Sequence, residues 1–179
     1  MDEMTLEMTL RPLGGMPSGV ASLVGFPRQR LSPALQSLAA RRLLAMLLRE
    51  HAGMDSLPPI AVDENGKPWF PDHPSVFFNL SHCDDAVMAV VAPSEVGCDI
   101  ERVVSMVDEE LTDVCLSETQ KRQLLLSPDT CLAFTRIWTR KEAAIKRSGL
   151  IPDDVRQWPC SAPRVITLPL PRHMLSIAY

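Results

Sequence analysis

The chain has 179 residues, 46% of them hydrophobic and 22% charged, with a formal net charge of −4. This composition suits a globular protein of one ordinary domain or two small fused lobes, long enough to bury a core without staples. The acidic balance excludes the global basic field on which DNA or RNA binding rests, and no stretch is long and apolar enough to span a bilayer.

Arg28, Arg30, Arg41, Arg42 and Arg49 gather in one early stretch, where a local basic patch competes with a solvated helix face. The five cysteines, Cys83, Cys98, Cys115, Cys131 and Cys160, include no CxxC pair, and His82-Cys83 adjacency does not give the usual metal-ligand spacing. Reduced thiols in a cytoplasm are expected. The N-terminus carries Asp2, Glu3 and Glu7 in place of the basic start of a signal peptide, which points the same way.

Residues 1–27 predict little beyond a strand over Thr5 to Leu10, because Gly14, Gly15, Pro17, Gly19, Gly25 and Pro27 break any long element. Ser32 and Pro33 then open a helix to about Glu50, with an N-cap followed by proline at the first helical position. Its apolar face takes in Leu35, Leu38, Ala39, Leu43, Met46 and Leu47, interrupted by Arg42. Residues 51–75 are loop-like, and Asn65-Gly66 forms a turn that presents Lys67. Two strands follow, Val76 to Leu80 and Ala86 to Ala92, joined by the turn formers of Ser81 to Asp85. A third covers Val96 to Glu101, with Gly97, Asp99 and Glu101 on one side.

Ser117 and Gln120 make a capping-box pattern. Ser127-Pro128 opens a long helix to about Ser148, with Gly149 as its C-cap and Lys146 and Arg147 suited to its last turn. After Gly149 the chain has 30 residues. They hold one or two strands, and Met174 to Tyr179 faintly echoes Val87 to Ala92. The order helix, strands, helix, strands reads as α+β with two related lobes, the first about 1–105 and the second about 106–179.

Four segments carry chemistry. Asp99 and Glu101, two apart on a strand, point the same way, about seven ångströms apart at the backbone, so both can reach one hard cation. The competing reading is a solvated strand end. Glu142 and Lys146 share a helix face at i and i+4, as an ordinary surface ion pair would. Trp138 beside them reads as core. Ser81-His82 offers donors in a turn. Adjacent residues of an extended chain point apart, no GxSxG is present and no acid orients the histidine, so a serine hydrolase is set aside. Gly66-Lys67-Pro68 adds a lysine after a turn.

In order and spacing, Gly66-Lys67-Pro68, Phe78-Asn79-Leu80-Ser81-His82, Val96-Gly97-Cys98-Asp99-Ile100-Glu101 and Trp138-Thr139-Arg140-Lys141-Glu142-Ala143 closely resemble the 4′-phosphopantetheinyl transferase superfamily. The resemblance covers residues 41–149 and is nearest to the two-lobed type, among the shorter bacterial holo-acyl-carrier-protein synthases. It implies two similar α+β lobes in pseudo-twofold arrangement with the active site between them. It also implies transfer of 4′-phosphopantetheine from coenzyme A to a serine of an apo acyl or peptidyl carrier protein, releasing adenosine 3′,5′-bisphosphate. Such a role belongs to lipid or secondary-metabolite biosynthesis.

By the same resemblance Asp99, Glu101 and Glu142 hold Mg2+, and Lys146, with Lys141, contacts the pyrophosphate. Lys67, Ser81 and His82 hold coenzyme A, with His82 on the 3′-phosphate, and Arg41 reaches its nucleotide end. Glu142, directly or through a metal-bound water, takes the proton of the acceptor serine. The catalytic pair is then Glu142 and Lys146. Carrier recognition draws on Arg28, Arg30, Arg122 and Arg136, and the protein is expected to be a monomer with neither nucleic acid nor membrane as partner. The alternative is a catalytically weak protein of the same fold that binds coenzyme A or a carrier protein.

Overall fold

The structure is a computed structural model that describes residues 7–158 and 164–179. Thr5 and Leu6 of the first expected strand, and Cys160, lie outside the described residues. The fold is α+β and every strand pairing in it is antiparallel. Among the described residues no helix is long and apolar enough to cross a membrane.

The first sheet has the order β1-β2-β6-β5, from β1 (Met8–Pro12), β2 (Ala21–Pro27), β6 (Ala86–Ala92) and β5 (Phe77–Cys83). β2 is an interior strand in a stretch whose glycines and prolines had read as breakers. Gly25 is tolerated there because a side chain would crowd its neighbours: a Cβ would lie 3.1 Å from both Met8 Sδ and Val87 Cγ2. Before β5, the strands β3 (Ala61–Val62) and β4 (Pro68–Trp69) form a small ribbon closed by the Asn65-Gly66 turn. Gly66 has φ 83°, and Asp63 Oδ1 accepts from the backbone N–H groups of Asn65 and Lys67 at 2.9 and 2.8 Å. The turn is as expected.

The helix α1 (Pro33–Ala52) packs on this sheet and ends at Gly53 in the left-handed region. Its buried face is Gln36, Ala39, Ala40, Leu43, Leu44, Leu47 and Leu48. The expected stripe is therefore rotated: Leu38 and Met46 are exposed, and so is Arg42. The leucines meet Leu23, Phe70, Phe78, Val87, Ala89 and Val91. β6 is buried along its whole length, because its alternate residues Met88 and Val90 join a second cluster with Cys98, Ile100, Leu175 and Ile177. Burying a side chain of this size contributes roughly 1.5–3 kcal/mol, so β6 anchors both clusters.

The second sheet has the order β7-β9-β8, from β7 (Gly97–Arg102), β9 (His173–Ala178) and β8 (Val165–Pro169). β7 pairs directly with β9, and β9 in turn with β8, so residues before and after 105 share this sheet. The helix α4 (Thr130–Ser148) lies against β7 and β9. It is capped by Asp129, whose side chain accepts from Leu132 N–H, and not by Ser127; Gly149 closes it. Before it come α2 (Glu109–Cys115), which has no strong sequence signal, and α3 (Glu118–Leu125), which opens with the expected Ser117/Gln120 capping box.

The two sheets meet along β5 and β7. Among the described residues no backbone ladder joins these edges; two β5 side chains do so instead. Asn79 Oδ1 accepts from Cys98 N–H at 2.9 Å and Ser81 Oγ from Ile100 N–H at 3.2 Å. The matched two-residue spacing satisfies backbone donors that burial would otherwise leave orphaned.

Candidate active site

Gly97, Asp99 and Glu101 lie on the face of β7 that looks toward α4. Gly97 sets how near the helix can come, since a Cβ there would stand 2.1 Å from the Ala143 carbonyl oxygen. Glycine is the one residue that this contact admits. The close approach brings Glu142 and Lys146, one helical turn apart, over the strand's carboxylates.

Asp99 is the centre of the cluster and is 2% exposed. Its Oδ1 accepts from Ser81 Oγ at 2.9 Å and from Lys146 Nζ at 2.6 Å. Lys146 Nζ is also 3.4 Å from Ser81 Oγ and 4.0 Å from Glu142 Oε2. Asp99 Oδ2 is buried with no hydrogen-bond partner among the described residues. A buried carboxylate oxygen is costly to leave unpartnered, so this atom needs a ligand from outside the chain.

The neighbouring acids are under the same pressure. Burial, and then the Asp99 charge, pushes Glu101 up to about 7. Burial raises Glu142 as well; Lys146 opposes this and Asp99 adds to it. Burial works against the Lys146 ammonium, but the adjoining Asp99 carboxylate outweighs it and holds the amine above its ordinary value. Three crowded carboxyl groups facing one amine, with one oxygen unpartnered, are a donor set for a hard divalent cation, which takes oxygen ligands. The oxygen donors are of the type that Mg2+ takes, although the three carboxyl groups are not gathered within 4.8 Å of one another here.

Ser81 and His82 are strand residues, not turn residues as the sequence had suggested. β5 continues to Cys83, and the hairpin turn is only Asp84-Asp85. Alternation along the strand buries Ser81 against Asp99 and leaves His82 exposed. Partial burial and then the Lys146 charge hold His82 below its ordinary value. The two side chains do not form a dyad, as their adjacency implied. Burial pushes the nearby Cys83 thiol up to about 11, which disqualifies it as a nucleophile at neutral pH.

Lys67 sits across a cleft of ≈ 350 Å³ from the cluster, and this cleft is also lined by Lys146, Gly149 and Ile151. Its amine pairs with Glu95 and donates to the Arg147 carbonyl at the end of α4. Glu95 carried no signal in the sequence. A second cleft, ≈ 230 Å³, is lined by Glu101, Leu111, Phe134 and Trp138. Lys146 lines the first cleft and Glu101 the second, so both clefts border the cluster of charges.

Two expected site residues are placed elsewhere. Lys141 is fully buried and its Nζ donates to the carbonyls of Cys115 at 2.8 Å, Val155 at 2.8 Å and Arg156 at 3.1 Å. It precedes Glu142 by one position and so points about 100° round the helix from it. It ties α4 to the end of α2 and to the short 3₁₀ turn Val155–Gln157, and does not face the clefts. Arg41 is exposed on α1, with no hydrogen bond or ion pair to the cluster among the described residues.

Comparison with known proteins points to one superfamily. Residues 95–160 match the model of the 4′-phosphopantetheinyl transferase superfamily, a span that holds Asp99, Glu101, Glu142 and Lys146. The 4′-phosphopantetheinyl transferase AcpT of Escherichia coli K12 is 38% identical over 116 residues, covering 63% of this chain and 56% of the relative. The 4′-phosphopantetheinyl transferase psf-1 of Bacillus pumilus is 34% identical over 119 residues, 62% of this chain and 51% of the relative. Enterobactin synthase component D of Escherichia coli K12 is 32% identical over 123 residues, 66% and 56%. The chain thus spans little more than half the length of these relatives.

Proposed function

We infer that the chain belongs to the 4′-phosphopantetheinyl transferase superfamily, which its residues 95–160 match, and that it transfers 4′-phosphopantetheine from coenzyme A to a serine of an apo acyl or peptidyl carrier protein. The observation that carries this reading is Asp99, held at 2.6 Å by Lys146 with its second oxygen unpartnered, beside Glu101 and Glu142. That arrangement suits a pyrophosphate and its cation better than it suits a structural ion pair, in which every oxygen would be satisfied.

In this reading the anionic end of coenzyme A enters the cleft between Lys67 and Lys146, and Lys146 shifts part of its charge from Asp99 to the pyrophosphate. Asp99, Glu101 and Glu142 would hold Mg2+, which when bound neutralises the charge of the pyrophosphate. The carrier's serine supplies the nucleophile. Its oxygen bonds to the phosphorus that carries pantetheine, and the bond from that phosphorus to the bridging oxygen breaks. Adenosine 3′,5′-bisphosphate leaves with the electron pair, and the serine proton passes to Glu142. A carboxyl group raised above its ordinary value is, once ionised, a stronger base than an ordinary one. The apolar cleft beside Glu101 suits the pantetheine arm or the carrier helix that brings the serine, and Arg122 and Arg136 offer exposed cations to an acidic carrier.

Release of adenosine 3′,5′-bisphosphate from coenzyme A tests the reading. It should require a divalent cation and an apo-carrier protein together. Release without a carrier would mean hydrolysis and would overturn the proposal.

A further inference from the structure

A second cluster of donors stands apart from the transfer chemistry, where the β5–β6 hairpin meets β9. Cys83 ends β5, Asp85 is in the turn, and His173 begins β9. The His173 ring is buried against Phe26, with ring centroids 5.6 Å apart. Its Nε2 lies 2.8 Å from Asp85 Oδ1, and Cys83 Sγ lies 3.9 Å from the same oxygen. All three ligand atoms fall within 4.8 Å of one another. Asp85 divides its two oxygens: Oδ2 is held by Arg102 at 3.1 Å, which turns Oδ1 toward the cysteine and the histidine.

We infer that Cys83, Asp85 and His173 form a zinc-binding site that ties the first sheet to the second. Tetrahedral zinc with bonds of about 2.0–2.3 Å places its ligand atoms about 3.3–3.8 Å apart. The separations of 2.8 and 3.9 Å bracket that spacing, so small side-chain rotations suffice. A thiolate, an imidazole and a carboxylate select zinc over magnesium, whereas the all-oxygen set of Asp99, Glu101 and Glu142 selects the reverse. With one thiolate and one carboxylate the three ligands neutralise the ion. Cys83 and Asp85 are half-buried, which leaves a path for the metal and a fourth position for water. The ligands come from strands far apart in sequence, so the bound ion would cross-link the two sheets across the hydrogen bond that now joins Asp85 to His173. Binding to the folded chain alone raises its stability by mass action.

Cobalt(II) is the probe, used on the whole chain in excess Mg2+. One equivalent should give a near-ultraviolet thiolate-to-cobalt band with tetrahedral visible absorption, both removed by one equivalent of zinc. Cys83→Ser should abolish the band, and His173→Gln should weaken binding at least tenfold, with folding checked by circular dichroism. No thiolate band, or a band that persists in Cys83→Ser, overturns the proposal. A second readout needs no variant: in excess Mg2+, zinc should raise the melting temperature of the native protein, as binding to the folded chain alone requires. An unchanged melting temperature overturns the proposal too.

Discussion

Gly97 and Ala143 touch through their backbones: a Cβ on Gly97 would meet the Ala143 carbonyl oxygen at 2.1 Å and the Arg147 backbone nitrogen at 2.3 Å. Both obstacles are main chain, so neither can swing aside. The whole of α4 must retreat from β7 to admit even a methyl group, and Glu142 and Lys146 retreat with it. Gly97→Ala is therefore expected to lower stability by about 1–3 kcal/mol, as overpacking does. It should also lose transferase activity out of proportion to the folded fraction that remains. Urea unfolding and initial rates on the same sample check both. Full activity in the alanine variant would mean that the helix position does not govern the site.

Lys141 and Lys146 have opposite assignments although both are lysines of one helix. Lys141→Met removes the donor from three buried or half-buried carbonyls, and should cost at least about 2 kcal/mol. Below its lowered melting temperature the variant should keep the wild-type KM for coenzyme A. A raised KM with unchanged stability would return Lys141 to the phosphates.

Glu142→Gln keeps the size of the side chain and removes the proposed base. A drop of about 10²-fold or more in kcat is expected, with coenzyme A affinity changed far less. Isothermal titration of coenzyme A and a steady-state rate separate the two. Unchanged kcat would exclude Glu142 as the proton acceptor.

Glu101 sets a pH dependence in the metal-free protein. Its folded value is about 7 against an ordinary 4.5. Between those limits the unfolded chain has released this proton and the folded chain retains it, so the group's contribution to stability falls as pH rises through the window. Glu101→Gln should remove that fall. In chelator the stability difference, variant minus wild type, is expected to grow between roughly pH 5 and 8, and to shrink when Mg2+ is added. A difference flat with pH would contradict the crowding of these acids.

Much of the site was legible because its periodicities are local. Asp99 and Glu101 at i and i+2 on a strand, and Glu142 and Lys146 at i and i+4 on a helix, each fix a shared face from spacing alone. What joins the two pairs is not local. The role of Gly97 depends on Ala143 and Arg147, more than 40 residues further along the chain, packing onto it. The direction of Lys141 depends on where the turn Val155–Gln157 offers carbonyls. In the fold, β2 was hidden because Gly25 and Pro27 read as breakers, while its seven residues are held by neighbours on both sides. Ser81 to Cys83 read as a loop since Asp84 and Asp85 follow, but full pairing with β6 carries the strand past them. The face of α1 was misjudged around Arg42, because Leu38 and Met46 are apolar yet exposed, and composition cannot tell which flank of a broad stripe meets the sheet.

The most direct test of the central claim is the mass of the acceptor. Purified protein, coenzyme A and Mg2+ are incubated with a panel of apo acyl and peptidyl carrier proteins, and each carrier is weighed intact. One added phosphopantetheine group on at least one carrier, absent after chelation and absent with Asp99→Ala, is the predicted result. No mass gain on any carrier, together with no coenzyme A binding by calorimetry, would contradict the account.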